Sequence, residues 1–344
     1  MSDRTELKEL GEFGLIDKIK KAVTISNKTT IAGIGDDCAV LDSKGQQIVV
    51  TSDMLNEGVH FDLGYTPLKH LGYKAAVVNF SDVLAMNALP SQLLVSIGIS
   101  NRFSLEAVDE LYAGLLKACE LYNVDLVGGD TTSSINGLTL SLTAIGFQDA
   151  DKIVKRSTAG EGDLICVSGD LGGAYMGLQI LEREKAVFKG SPEVQPDLDG
   201  FDYILERQLK PEARKDVIIE LVKREILPSS MIDISDGLAS ELFHIATDSN
   251  VGCTIYADKL PIDPMTSTVA QDFKMPPETA ALNGGEDYEL LFTIKQADYE
   301  KVKGWREVTV IGHITDKAEG VNMVGSVGSI IKLNAQGWDA FLSK

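Results

Sequence analysis

Basic residues are scarce in this chain. Thirty-two Lys and Arg face 51 Asp and Glu, a formal charge of −19. A partner held through neutralisation of a phosphate backbone is excluded by that balance, which removes nucleic acid. A polybasic membrane-surface role is removed with it. Cysteine is sparse too: Cys38, Cys119, Cys166 and Cys253 lie far apart without a C-x-x-C pair. That spacing supports neither a disulfide framework nor a thiolate metal cluster, and it reads as four mostly buried thiols. His60, His70, His244 and His313 show no H-E-x-x-H spacing, so any metal here is held by oxygen. No G-x-x-x-x-G-K-[ST], H-R-D or D-F-G occurs, which excludes the two common phosphoryl-transfer architectures. No apolar run approaches the ~18 residues of a membrane span. No apolar signal segment follows Met1-Ser2-Asp3-Arg4, and the expected compartment is the cytoplasm.

What is present is an ordinary globular composition, 44% apolar and 24% charged over 344 residues. At ~150 residues per domain that length predicts about two domains. Strands are expected at Gln47–Thr51, Gln92–Ser100 and Thr139–Phe147, and helices over Thr66–Ala88 and Ser104–Tyr122. In the first helix Thr66 can cap and Pro67 suits the first helical position; in the second Ser104 is the N-cap. A polar, glycine-bearing seam at Asp149–Glu161 divides the chain into 1–150 and 151–344. Beyond it come a strand at Asp163–Ser168, the loop Gly169–Gly173 and a helix to about Arg183. A proline-bearing excursion then covers Glu184–Gly200. Further helices are expected at Phe201–Leu209, Pro211–Arg224 and Gly237–Ser249, and further strands at Gly252–Tyr256, Glu289–Ile294 and Thr309–Ile314. The order lacks a strict β-α-β rhythm, so the fold class is α+β in two domains rather than one doubly wound sheet.

Six short apolar runs end in small residues carrying an acid. They are Ile31-Ala32-Gly33-Ile34-Gly35-Asp36-Asp37, Val49-Val50-Thr51-Ser52-Asp53, Val77-Val78-Asn79-Phe80-Ser81-Asp82, Leu126-Val127-Gly128-Gly129-Asp130, Met231-Ile232-Asp233-Ile234-Ser235-Asp236-Gly237 and Leu282-Asn283-Gly284-Gly285-Glu286-Asp287. Each alone is more often a turn residue or an N-cap. Repeated, they form the pattern of a multi-magnesium phosphate site, because Mg²⁺ takes one or two carboxylates together with substrate phosphates. Asp82 stands apart: it sits in an apolar helical stretch one turn from Asn79 and on the same face, where an acid is costly unless it has a partner. Gly169–Gly173 before a helix offers phosphate-binding amides, a weak signal that is more often a simple turn.

Together, Gly33-Ile34-Gly35-Asp36-Asp37-Cys38-Ala39, Ser52-Asp53-Met54-Leu55, Asn79-Phe80-Ser81-Asp82, Gly128-Gly129-Asp130-Thr131-Thr132, Asp233-Ile234-Ser235-Asp236-Gly237-Leu238 and Gly284-Gly285-Glu286-Asp287-Tyr288-Glu289-Leu290 resemble the thiamine-monophosphate kinase family. That family belongs to the aminoimidazole-ribonucleotide-synthetase-like superfamily. The likeness runs from Gly11-Glu12-Phe13 to Gly337-Trp338-Asp339. It implies an N-terminal domain (1–150) that binds ATP and magnesium and pairs across a homodimer into a β-barrel. A C-terminal α/β domain (151–344) would complete the nucleotide and substrate site. It also implies transfer of the ATP γ-phosphoryl group to thiamine monophosphate, the last step of thiamine diphosphate biosynthesis, with several Mg²⁺ ions per site. By the same resemblance Asp37, Thr51, Ser52, Asp53, Asp82, Asp130, Asp233 and Asp236 fall at magnesium positions. Asp37, Asp82, Asp130 and Asp236 are the catalytic candidates among them. Gly129, Asp130, Arg156 and Ser235 fall at nucleotide positions, with Tyr112 near the nucleoside. His60, Glu286 and Trp338 fall at acceptor positions. Asp36 shares the motif, and whether it meets metal directly or through water stays open.

The implied chemistry suits a chain without a catalytic Lys or His signature. A phosphate monoester has a second pKa near ~6, so its attacking oxygen is already ionised at neutral pH and needs no general base. Positioning and charge neutralisation remain, both within the reach of magnesium held by carboxylates. Asn87 stands where family members commonly carry Gly, and Asn tolerates the left-handed conformation better than most residues. Two other readings stay open on sequence alone. One is another ATP-using enzyme of the superfamily, making aminoimidazole ribonucleotide, selenophosphate or a hydrogenase-maturation product. The other is a non-catalytic magnesium–nucleotide-binding regulator.

Overall fold

A computed structural model of the protein describes residues 18–32, 40–191 and 193–334. The chain divides into two units. The first runs through Val83 and resumes over Ala88–Asp151; the second takes Leu84–Asn87 and everything from Lys152 onward.

In the first unit, β1 (Thr30–Ala32) pairs with β2 (Val40–Leu41) as a small antiparallel ribbon. A four-stranded sheet comes next, in the order β3 (Gln47–Asn56), β6 (Leu138–Gln148), β4 (Leu89–Ile99) and β5 (Asp125–Ser133). β4 and β5 run parallel, joined by a crossover helix, and the other pairs are antiparallel. The unit's long helices are α1 (Leu68–Ala85) and α2 (Leu105–Tyr122), with a further helical turn over residues 18–22. α1 is apolar nearly all round and accordingly buried, with Ala75, Ala76, Val77, Phe80, Val83 and Leu84 all at 0% exposure. α1 and α2 meet backbone to backbone at two glycines. A Cβ on Gly114 would stand 1.8 Å from the Lys69 carbonyl oxygen, and one on Gly72 would stand 1.9 Å from that of Leu111. Ser104 caps α2 as expected, accepting the Ala107 N–H at 3.4 Å. Asn87, in the short piece after α1 that belongs to the second unit, takes the expected left-handed turn at φ 59°, and its Nδ2 donates to the Lys152 carbonyl of that unit at 2.9 Å.

The second unit carries a seven-stranded sheet in the order β13-β12-β9-β11-β7-β10-β8. Its strands are β7 (Leu164–Ser168), β8 (Ser230–Asp233), β9 (Gly252–Tyr256), β10 (Leu290–Ile294), β11 (Val308–Thr315), β12 (Val321–Val324) and β13 (Ile330–Lys332). All pairs are antiparallel except β12 with β9. The helices are α3 (Gly173–Gly190), α4 (Asp202–Leu209), α5 (Lys215–Lys223), α6 (Leu238–Ser249), α7 (Pro264–Asp272), α8 (Pro277–Asn283) and the short α9 (Tyr299–Val302). One core places Leu238, Leu242 and Ile245 of α6 against Ile165, Val167, Ile255 and Leu291 of the sheet. A second packs Met176 and Ile180 of α3 against Ile204, Val269 and Ala280.

Several boundaries differ from the sequence expectation. α1 starts at Leu68 because the Pro67 carbonyl already accepts the first helical bond, from Leu71 at 2.9 Å; Thr66 is therefore not its cap. α3 continues past Arg183 to Gly190 and takes in the first part of the expected excursion. Buried Glu184 anchors the segment beyond α3, accepting the Asp197 N–H at 2.9 Å and Arg183 Nε at 2.7 Å. α5 is shorter than Pro211–Arg224, and α7, α8, β12 and β13 were not anticipated. Gly128-Gly129-Asp130 lies inside β5 rather than in a turn. Thr51-Ser52-Asp53 likewise lies inside β3, which runs five residues beyond the predicted end.

Candidate active site

Strand alternation sorts the first group of candidates. Along β3, Val49, Thr51, Asp53 and Leu55 turn inward, while Ile48, Val50, Ser52 and Met54 turn outward. Thr51 and Asp53 therefore share a face with each other and not with Ser52. Ser52 Oγ instead donates to the Leu142 carbonyl at 3.0 Å and accepts from Thr143 Oγ1 at 3.1 Å. The inward face of β3 meets α1 at Asn79 and Asp82, one turn apart. Thr51 Oγ1 donates to Asp82 Oδ2 at 2.5 Å, and the Asp53 N–H donates to Asn79 Oδ1 at 3.1 Å.

The carboxyls of Asp53 and Asp82 lie within hydrogen-bonding reach of each other. Burial, reinforced by the negative charge of Asp82, pushes Asp53 up to about 6. Burial also raises Asp82, against the hydrogen bonds from Thr51 and Asp53. Two half-buried carboxyls that cannot comfortably both ionise are a donor set suited to a divalent cation, which supplies the charge they lack. Among the described residues, no group of three or more His, Cys, Asp or Glu stands ready for a metal. Asp36 and Asp37 lie outside the described residues.

Asp130 is not part of that pair. It is exposed on β5, three strands from β3 and so ~14 Å across the sheet, where its Oδ1 accepts the Thr131 N–H at 2.9 Å. Gly129 precedes it in the same strand. His60 sits in the turn after β3, its Nδ1 accepting the Asn56 N–H at 3.0 Å. Gly58 of that turn and Glu57 border a pocket of about 440 Å³ together with Ser100, Arg102 and Asn136. Tyr112 on α2 is buried beside a second pocket of about 240 Å³ lined by Ile19, Ala22, Val108 and Leu116; burial pushes its hydroxyl up to about 12.

In the second unit two of the sequence motifs touch through their backbones. The Glu286 N–H donates to the Ser235 carbonyl at 2.7 Å, Tyr288 N–H to Ile234 at 2.9 Å, and Ile234 N–H to Glu289 at 2.7 Å. A Cβ on Gly285 would stand 2.6 Å from the Ser235 carbonyl oxygen, so only glycine permits the approach. Asp233, Ser235, Asp236 and Glu286 are thereby brought to one place at the start of α6. Burial raises Asp236, an effect His244 opposes. The Asp236 N–H donates to Glu241 Oε1 at 3.1 Å, and burial lifts Glu241 to about 7. Arg156 is half exposed, with Nε on Asp248 Oδ2 at 2.6 Å. Trp338 lies outside the described residues.

Sequence reasoning missed the support beneath Glu286. Glu286 Oε2 accepts Gln208 Nε2 at 2.8 Å, and Glu286 and Tyr288 both adopt positive φ, at 59° and 52°. Between them Asp287, wholly buried, accepts the Gly172 and Ala174 N–H groups at the start of α3. Glu289 accepts from Arg207 at 2.9 Å, Arg214 at 2.6 Å and Ser168 Oγ at 2.5 Å. The acids are visible in the sequence. Their arginines are some 80 residues away and carry no motif.

Both mixed helix–sheet units have counterparts among known proteins. Residues 35–148 match the AIR synthase related protein, N-terminal domain, and residues 160–324 match its C-terminal domain. The chain belongs to the family of AIR synthase related proteins. It is 36% identical over 336 residues to the thiamine-monophosphate kinase of Aquifex aeolicus (strain VF5), covering 97% of this chain and 99% of that protein. It is 33% identical over 340 residues to that of Bacillus subtilis (strain 168), covering 96% and 100%. The solved structure of AaThiL complexed with AMPPCP and TMP superposes with a TM-score of 0.74 at 34% identity, covering 99% of this chain and all of that one. Within the family, its branch is that of the thiamine-monophosphate kinases. No helix among the described residues is long and apolar enough to cross a membrane.

Proposed function

We propose that this chain catalyses ATP-dependent phosphorylation of thiamine monophosphate to thiamine diphosphate. The observation that carries the reading is identity of 33–36% to thiamine-monophosphate kinases over nearly the full length of both partners. A phosphate oxygen of the acceptor attacks the γ-phosphorus in line, the bond to the β-phosphate oxygen breaks, and ADP leaves; no protein group need take a proton. Thr51, Asp53 and Asp82 would hold magnesium, with Asp37 and Asp130 as further candidates and Asp233 and Asp236 in the second unit. When bound, the ions would neutralise charge on both anionic substrates and align them. The shared burial of Asp53 and Asp82 supports this, because a cation would offset the burial that raises both acids and the Asp82 charge that further raises Asp53.

Gly129, Arg156 and Ser235 would contact the nucleotide phosphates and Tyr112 the nucleoside, while His60, Glu286 and Trp338 would meet the acceptor. A homodimer also belongs to this reading. Ile48, Val50 and Met54 form an apolar stripe on the outer face of edge strand β3, exposed at 56%, 59% and 55%. Pairing of that sheet with its copy would bury the stripe and close a barrel.

The test is incubation of the full chain with radiolabelled ATP, Mg²⁺ and thiamine monophosphate. Equal yields of ADP and labelled thiamine diphosphate are expected. Turnover of a different acceptor, or ADP release independent of thiamine monophosphate, would overturn the substrate. A phosphorylated side chain trapped on the turnover pathway would overturn direct transfer.

A further inference from the structure

We propose that Asn79 is a positioning residue for the cation site: its side-chain amide holds strand β3 against helix α1 so that Asp53 and Asp82 face each other. The inference rests on the reading of that pair as a metal site.

Among the described residues β3 is an edge strand of the four-stranded sheet, paired with β6. The Asp53 N–H is taken by Asn79 Oδ1 at 3.1 Å, and the other end of the same amide donates to the Ala75 carbonyl at 3.0 Å. With both ends engaged the amide has one orientation, since the flipped form would set a donor against the Asp53 N–H. Two rungs therefore join strand to helix: Asp53 to Asn79, and Thr51 to Asp82 at 2.5 Å. The rungs match because residues two apart on a strand and three apart on a helix each share a face. Removing the Asn79 rung leaves β3 tied to α1 through Thr51 alone, with β6 still holding its paired edge, and so loosens the Asp53 carboxylate relative to Asp82.

The identity of residue 79 points the same way. The helix around it is largely apolar and buried, and Asn79 itself is 0% exposed. An amide is costly there and a weak helix former, so its presence requires the bonds it makes. An apolar side chain would satisfy the core equally well and leave the Asp53 N–H without this acceptor.

Mn²⁺ binding to the metal-free full-length protein, followed by the EPR signal of the free ion, tests the proposal without reference to turnover. Wild type is compared with Asn79→Leu, which keeps the volume and removes both bonds, and Asn79→Asp, which restores an acceptor. Asn79→Leu is expected to weaken Mn²⁺ binding about tenfold or more, the usual cost of losing a partner behind a metal ligand. Asn79→Asp is expected to bind at least as tightly as wild type. In parallel, hydrogen exchange over residues 51–55 should speed up in Asn79→Leu and recover in Asn79→Asp. A purely structural asparagine would lower Tm in Asn79→Leu while leaving Mn²⁺ affinity unchanged, and that result would overturn the proposal. So would Asn79→Asp binding as weakly as Asn79→Leu. Should Asn79→Leu fail to fold, Asn79→Ala replaces it under the same criteria. Asp82→Asn separates the two levels: if it binds Mn²⁺ like wild type, the metal-site reading itself fails. If it loses binding while Asn79→Leu keeps it, only the role of Asn79 fails.

Discussion

Asp287 and Gly172 stand 115 positions apart in the chain, yet the Asp287 carboxylate accepts the Gly172 N–H at 2.7 Å. Gly172 has no side chain to cap α3, so the anionic cap arrives from the far end of the unit. Burial pushes the Asp287 carboxyl up to about 7, and Arg207 pulls against that. Arg207 reaches Asp287 at 3.6 Å and Glu289 at 2.9 Å, both carboxylates almost wholly enclosed.

Arg207→Met should therefore destabilise the second unit by about 3–5 kcal/mol, the cost of leaving buried carboxylates without their cation. Arg207→Lys should recover only part of that, because an ammonium cannot span two acceptors as the guanidinium fork does. Urea unfolding of the three proteins measures both effects; full recovery by Lys would show that charge alone matters.

Asp82→Asn should lower kcat at least ~10²–10³-fold, the scale for removing one preorganised electrostatic group. Its metal-free Tm should stay level or rise, because the substitution removes a half-buried charge that burial penalises and that raises Asp53. Calorimetry without divalent cation, beside a turnover assay with it, checks the opposite signs. Wild-type activity would remove Asp82 from the site.

Asp125 supplies an acid-sensitive tie. Burial alone would raise its carboxyl, but donors from Thr30 Oγ1, the Ser26 and Asn27 N–H groups and Ser26 Oγ outweigh burial and hold it below the ordinary 3.8. A depressed folded pKa stabilises above the unfolded value, and that contribution disappears as pH falls through the folded one. Asp125→Asn should lose about 1–3 kcal/mol at pH 7, with the gap to wild type narrowing steadily below pH ~4. Thermal melts from pH 7 to pH 3 provide the check; a gap independent of pH would refute it.

Gly114→Ala should destabilise the first unit by about 1–3 kcal/mol or more, since its Cβ would fall 1.8 Å from the Lys69 carbonyl and the two helices must part. Thermal unfolding reads it directly. An unchanged Tm would mean that the crossing is looser than its geometry implies.

Local chemistry made some features legible in the sequence. Ser104 announced a cap, Asn87 a left-handed turn, and the solitary acid Asp82 a partner across the core. Glycine misled where its role was tertiary: Gly128 and Gly129 read as a turn but lie within β5. Arg207 and Gln208 were invisible because α4 looks like any charged amphipathic helix, and only folding brings it beneath Glu286 and Glu289. Ser52 sat in the right motif, yet strand alternation turns its side chain away from Thr51 and Asp53.

That alternation makes β3 tolerant of substitution but intolerant of a change in length. One face carries Thr51 and Asp53 toward α1, and the other carries Ile48, Val50 and Met54 outward. Deleting a single residue between Gln47 and Thr51 would exchange the two sets, sending apolar side chains toward Asp82 and Thr51 and Asp53 to the outside. Insertions and deletions in these ten positions should thus be far rarer among functional variants than point changes of comparable size.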